Sequence, residues 1–124
     1  MNIITIVLTA VVVLAFGFFS IVKIAGVPKA LFEEQKAQIV GTYGISRNAM
    51  RLIGIAELLG ALLVLAGLSP NFTPFAQVGN IILMVVTAGA MSYHSRYDSV
   101  TKDGLPAIIQ FALNAILLIL SFMM

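Results

Sequence analysis

Four long stretches of the chain are apolar and almost free of charge, and they limit the possible fold more than any other feature. They cover about residues 3–25, 49–68, 75–94 and 105–124. A helix needs roughly 20 mostly apolar residues to cross the hydrocarbon core of a bilayer, and a helix satisfies its own backbone groups there. The sequence therefore predicts an all-α integral membrane four-helix bundle, organised as a single transmembrane domain over residues 1–124.

The composition excludes several classes of function. Hydrophobic residues make up 60% of the chain and charged residues 10%, whereas soluble domains carry about 25% charged residues. A net charge of +2 is too small to favour a nucleic acid as a partner. The chain has no Cys and a single His, which excludes a thiolate metal site and ligation of a haem by two histidines within one copy. We therefore expect no metal and no cofactor.

The basic residues are distributed on one side only. All seven lie in or beside the first and third connections: Lys23, Lys29, Lys36, Arg47, Arg51, Arg96 and Lys102. With an even number of spans, these two connections share one side of the membrane. The positive-inside rule makes that side cytoplasmic. We therefore expect both termini on the non-cytoplasmic side of a multi-pass cell-membrane protein, which we expect to be in a bacterial inner membrane.

The connections carry signals for helix ends and turns. Residues 28–36 are compatible with a short interfacial helix, and either Ser46 or Asn48 can cap the second span. Residues 69–74 (SPNFTP) predict a tight turn between the second and third spans, and Asp103-Gly104 interrupts the chain before the fourth.

Glu57 is the most informative polar residue, because a carboxylate within a span is costly and usually marks a functional site or a buried partner. It lies six residues after Arg51, which places its backbone on the order of 9 Å inside the membrane. Gly54, Gly60 and Ala61 share its helical face. Small residues let neighbouring helices approach closely, so we expect these three residues at helix contacts and Glu57 inside the bundle.

Lys23 has two interpretations. Side chains lean toward the N-terminus of their helix, so Lys23 on the first span and Glu57 on the second lean toward each other's level. If the two helices are neighbours, an ion pair between these residues is geometrically easy. Alternatively, Lys23 extends its ammonium to the interface as an ordinary lysine at a helix end.

Three more polar residues lie at a similar depth. His94 ends the third span, and Gln110 and Asn114 share one face of the fourth. Together with Lys23 and Glu57 they predict a polar cluster in the cytoplasmic half that binds a ligand or a partner. The competing interpretation makes His94 an ordinary interfacial residue and the two amides hydrogen-bonding contacts between helices.

Three segments resemble the DoxX-like family of small four-helix membrane proteins. They are residues 17–24 (GFFSIVKI), 51–60 (RLIGIAELLG) and 90–94 (AMSYH), which are similar to the family's glycine–lysine, glycine–glutamate–glycine and alanine-to-histidine patterns. The resemblance implies the four-span architecture. The wider group includes the animal protein that assists assembly of nicotinic acetylcholine receptors, and subunits associated with thiosulfate:quinone oxidation.

Three functions therefore remain open at the level of sequence. The first is a non-catalytic accessory protein, chaperone-like or binding a small lipophilic ligand, whose partners are the bilayer, a second membrane protein or another copy of the chain. The second is a membrane subunit of a redox complex that acts near quinone. The third is a proton-coupled exporter of small molecules, because small multidrug transporters also depend on a membrane glutamate.

Overall fold

The fold is a set of helices joined by short connections. A computed structural model describes residues 3–99, 101–102 and 104–123, with only the backbone at Pro70. In chain order the elements are α1 (Ile3–Ala25), α2 (Lys29–Lys36), a π-helical segment (Ala37–Thr42), α3 (Arg47–Ala66), a 3-10 turn (Pro70–Phe72), α4 (Thr73–Tyr97) and α5 (Leu105–Phe122). No strand occurs among the described residues.

Four of the helices are long and apolar enough to cross a membrane: α1 with 23 residues, α3 with 20, α4 with 25 and α5 with 18. The fifth, α2, has 8 residues and none of them is buried. The predicted all-α membrane fold with four spanning helices is therefore confirmed. The side of the membrane that the termini face stays a prediction.

The helix ends differ slightly from the predicted ones, for local reasons. α3 begins at Arg47 because the Ser46 side chain accepts a hydrogen bond from Ala49 N at 3.1 Å and caps the helix. α4 continues to Tyr97, past the predicted end at 94, since the polar residues that follow do not break a helix. Asp103 and Met124, which the sequence placed before and at the end of the fourth span, lie outside the described residues.

The spanning helices pack in the order α1, α3, α4, α5, and α1 meets α5 over a shorter stretch than the other neighbours meet. The apolar core of this bundle consists of Val12, Phe16, Ala61, Val64, Leu83 and Leu117. Gly60 and Gly79 bring α3 and α4 together, because a Cβ on Gly79 would lie 2.6 Å from Gly60 O. The core therefore depends on backbone contact between these two helices.

Residues 26–46, called the connecting segment, join α1 to α3. Gly26 and Gly44 lie near its two ends with φ values of 77° and 72°, a conformation that glycine adopts without strain. Arg47, just beyond it, donates hydrogen bonds to Lys23 O at 2.6 Å and Ile24 O at 3.3 Å, which satisfies carbonyls at the end of α1. The arginine therefore fixes the start of α3 against the end of α1.

Candidate functional site

A cavity of about 630 Å³ lies in the half of the bundle next to the connecting segment. We call this half the basic end, because it adjoins the first and third connections and their basic residues. All four spanning helices and the connecting segment contribute side chains to the cavity. A second cavity, at the opposite end, holds only about 20 Å³. That is the space of about one water molecule, so the larger cavity is the candidate site.

Lys23 and Glu57 form an ion pair that faces this cavity. Lys23 Nζ lies 2.8 Å from Glu57 Oε1, and the two side chains are 12% and 6% exposed. The ammonium also lies 5.8 Å from the centre of the Phe19 ring, within range of a cation–π contact. Of the two interpretations of Lys23, the structure has the ion pair and not the interfacial lysine.

Gly54 explains why the pair can form. A Cβ at this position would lie 2.9 Å from Lys23 Cβ and 3.0 Å from Ser20 O. The absence of a side chain therefore allows α3 to lie directly against α1, one turn before Glu57. Gly60 is equally crowded, since its Cβ would lie 2.7 Å from Leu83 Cδ2, and Ala61 is 1% exposed within the core.

His94 lies between the cavity and the surface of the basic end, and it is 7% exposed. Its Nδ1 lies 2.6 Å from Asp98 Oδ1, and the Tyr43 hydroxyl donates to Asp98 Oδ2 at 3.0 Å. An ionised carboxylate only accepts hydrogen bonds, so the network assigns a proton to His94 Nδ1. The tyrosine oxygen lies 2.9 Å from the same nitrogen. The three side chains thus form one closed hydrogen-bonded group.

This group attaches the connecting segment to α4. Tyr43 and Gln38 come from the connecting segment, and both contact the Asp98 carboxylate, Gln38 Nε2 at 3.4 Å. Desolvation raises the pKa of Asp98, but the hydrogen bonds from His94, Tyr43 and Gln38 outweigh it, so the net pKa lies below the ordinary value for aspartate. Stacking of Tyr43 on Tyr93, with ring centres 5.2 Å apart, adds an apolar contact.

The two predicted amides of α5 occupy different places. Gln110 lines the cavity, and its buried Oε1 has no hydrogen-bond partner in the described structure. Asn114 is fully buried, does not line the cavity, and donates from Nδ2 to Gln110 O at 2.8 Å. The structure therefore brings Lys23, Glu57, His94 and Gln110 to one cavity and leaves Asn114 outside it, because one further turn takes α5 into close contact with its neighbours.

The comparisons with known proteins agree with this architecture. Residues 7–124 match the sequence profile described as the DoxX-like family. The chain belongs to the DoxX-like family. The matched range includes all three segments that carried the resemblance and every residue of the cavity named above. No curated protein matches the chain. No solved structure matches it either.

In this DoxX-like protein, several residues of the site were not predicted from the sequence. Tyr43, Gln35 and Gln38 lie in the connecting segment, and all three line the cavity. Asp98 was not among the predicted site residues, yet it holds His94 and Tyr43 together. A partial signal was present, because His94 and Asp98 are four residues apart and such residues meet on one face of a helix.

Proposed function

We propose that this DoxX-like protein is a non-catalytic membrane accessory protein that binds a small lipophilic ligand with a polar group in the cavity at the basic end. One observation carries the proposal: the Lys23–Glu57 ion pair faces a cavity of about 630 Å³ instead of being enclosed by packed side chains. Ligand pockets for small molecules have volumes of about 300–1,000 Å³ and combine apolar surface with a few placed polar groups.

Energetics support a functional use of the ion pair. Removing two charges from water costs several kcal/mol for each ion, and replacing a buried pair by apolar residues is often neutral or stabilising. The pair is not needed to hold α1 against α3, since Gly54 and Ser20 already pack these helices closely. A pair that faces a cavity instead offers both a cation and a carboxylate to a bound molecule.

The surface of the cavity is divided between apolar and polar residues. On α1, the apolar surface is provided by Ala15, Phe16 and Phe19. Lys23 lies further along the same helix, nearer the basic end, and provides polar surface. A lipophilic molecule with one polar group matches this arrangement, because its apolar part and its polar group then meet like surfaces. Under the positive-inside rule the basic end is cytoplasmic, which places the site in the inner half of a bacterial inner membrane.

Native mass spectrometry of the protein purified in mild detergent tests the proposal. The wild type is compared with Lys23→Met and Glu57→Gln, and with Glu33→Gln as a control for the loss of an exposed carboxylate on α2. We expect a lipophilic molecule to co-purify with the wild type and the control, and its occupancy to fall in both pair variants. Equal occupancy in all four proteins would contradict the proposal. Visible absorbance from a bound haem or flavin would instead favour the redox subunit.

A further inference from the structure

The charges and hydrogen-bonding groups of the cavity restrict the ligand further, and this inference rests on the function proposed above. We infer that the ligand is a single-chain amphiphile with an uncharged, hydroxyl-bearing head group, and that its chain lies between α1 and α5. A monoacylglycerol has this chemistry. Three features support this ligand: the charge at the cavity, its unpartnered hydrogen-bond acceptors, and its position beside α1 and α5, the neighbouring helices with the shortest contact.

The cavity has no spare positive charge for an anionic head group. Among the described residues that line it, the acidic and basic side chains other than His94 are Lys23, Glu34 and Glu57, one basic group against two carboxyl groups. Lys23 is already paired with Glu57 at 2.8 Å. A fatty acid or a phosphate would bring a negative charge next to Glu34 without gaining a free cation. Like charges at close range are repulsive, most strongly at low dielectric, so an anionic ligand is disfavoured.

Two buried hydrogen-bond acceptors at the cavity favour a ligand that carries a hydrogen-bond donor. Gln110 Oε1, on α5, and Gln35 Oε1, on α2, are buried without a hydrogen-bond partner in the described structure, and both residues line the cavity. A buried polar atom without a partner costs about 1–3 kcal/mol. Hydroxyl groups of a ligand would satisfy both amide oxygens, and hydroxyl oxygens would accept from the amide N–H groups on the same side chains.

The cavity is lined by α1 and α5, which contact each other over a shorter stretch than the other neighbouring helices do. Val12 and Leu117 belong to the same apolar core and hold these two helices together in the half far from the connecting segment. Nearer the basic end, Ala15 and Phe19 of α1 and Ala107 of α5 line the cavity instead. Phe19 lines the cavity and is 38% exposed, so it reaches the outer, membrane-facing surface of the bundle. A chain can therefore enter sideways from the adjacent leaflet.

The connecting segment lies at the basic end of the cavity, which favours access from the side. It contributes Leu31, Gln35, Gln38, Ile39 and Tyr43 to the cavity surface at the basic end, and the Tyr43–Asp98 hydrogen bond fixes it to α4 at 3.0 Å. A molecule that approached from water would have to displace this segment. A molecule dissolved in the leaflet would enter between α1 and α5, whose Phe19 and Ala107 line the cavity, and would leave this segment in place.

The test uses three probes that share one oleyl chain: monoolein with a glycerol head, oleic acid and oleylamine. Their dissociation constants for the full chain in detergent are measured by native mass spectrometry. We expect monoolein to bind most tightly, and Gln110→Leu to weaken it about tenfold, as expected for the loss of one hydrogen bond to a buried group. Gln77→Leu, the same chemical change on α4 outside the cavity, should leave binding unchanged.

A second pair of variants tests the position of the chain. Ala107→Trp fills the space between α1 and α5, whereas Ala112→Trp places the same side chain on the exposed face of α5. We expect Ala107→Trp alone to weaken monoolein at least about tenfold. Equal affinity in these two variants would overturn the assigned position, and this comparison holds even if one glutamine variant fails to fold.

The outcomes separate this inference from the proposed function. If oleic acid or oleylamine binds more tightly than monoolein, the class of head group is wrong while the cavity remains a ligand site. If no probe binds, yet a co-purified molecule is lost from Lys23→Met, the amphiphile is wrong and the proposed function stands. If monoolein binds equally to wild type, Lys23→Met and Gln110→Leu, and nothing co-purifies, both proposals are overturned.

Discussion

Lys23 and Glu57 meet across two spanning helices, with Nζ and Oε1 2.8 Å apart beside a cavity. Removing one partner of a buried pair leaves an uncompensated charge and typically costs about 3–5 kcal/mol, whereas removing both can be nearly neutral. We expect Lys23→Met and Glu57→Gln each to lower the thermal stability in detergent by more than the double variant does. Strictly additive losses would contradict direct pairing. Lys29→Met on exposed α2 is the control for loss of a lysine.

Gly79 should tolerate no side chain. A Cβ there would lie 2.6 Å from Gly60 O and 2.8 Å from Val64 N, both backbone atoms that cannot move independently of α3. We expect Gly79→Ala to destabilise the bundle by about 1–3 kcal/mol through overpacking, measured by thermal unfolding in detergent. Gly17→Ala is the matched control, because its Cβ would meet nothing within 4 Å. Similar melting temperatures for the two variants would mean that α3 and α4 are not in backbone contact.

Tyr43 should determine how firmly the connecting segment is held. Tyr43→Phe keeps the ring that stacks on Tyr93 but removes the hydroxyl that donates to Asp98 at 3.0 Å. We expect faster amide hydrogen exchange in residues 29–43 and unchanged exchange in the spanning helices, since local opening exposes only the segment that loses its attachment. Tyr97→Phe, on a ring that is 51% exposed, is the control. Equal acceleration in both variants would argue against a specific role for the hydroxyl.

The attachment should weaken in acid because of Asp98. Its pKa in the folded protein lies below the ordinary value, as hydrogen bonds from His94, Tyr43 and Gln38 outweigh desolvation. The attached state therefore binds a proton less readily than the detached state. Ionised Asp98 therefore stabilises the attached state fully above the ordinary aspartate pKa of about 3.9. This stabilisation is lost as the pH falls through the lowered pKa of Asp98 in the folded protein.

The weakening of the attachment in acid can be measured by amide hydrogen exchange of residues 29–43 as a function of pH. The rates are corrected for the pH dependence of intrinsic exchange. We expect protection to fall in acid for the wild type. In Asp98→Asn the protection should be lower at neutral pH and independent of pH over the same range, because the titrating group is gone. An identical acid response in the two proteins would assign it to another carboxylate.

Membrane orientation gives a further prediction. The four spanning helices are joined so that the basic connections lie at one end, and the start of α1 and the end of α5 lie at the other. We expect alkaline phosphatase fused to the C-terminus to be active and a fluorescent protein fused there to be dark, as the positive-inside rule requires. The reverse pattern would place the C-terminus in the cytoplasm and contradict the predicted orientation.

Several features followed from the sequence alone, because they depend on distances along one helix. The four spans follow from the length of the apolar stretches, and lipid leaves the backbone no alternative to helices. Glu57 and Gly54 share a face through the helical repeat, so their burial and close packing could be predicted without the tertiary structure. The similar membrane depth of the Lys23 and Glu57 side chains followed from the rise per residue and from the tilt of side chains toward the N-terminus of their helix.

Other features were decided only by the tertiary structure. The connecting segment carries no clear periodicity, so nothing local indicated that Tyr43 and Gln38 fold back onto Asp98. Asn114 and Gln110 are one turn apart and look equivalent in sequence, yet only Gln110 faces the cavity. The short contact between α1 and α5 depends on how all four spanning helices pack together. This packing depends on contacts made throughout the bundle, so it cannot be predicted from any one segment of the chain.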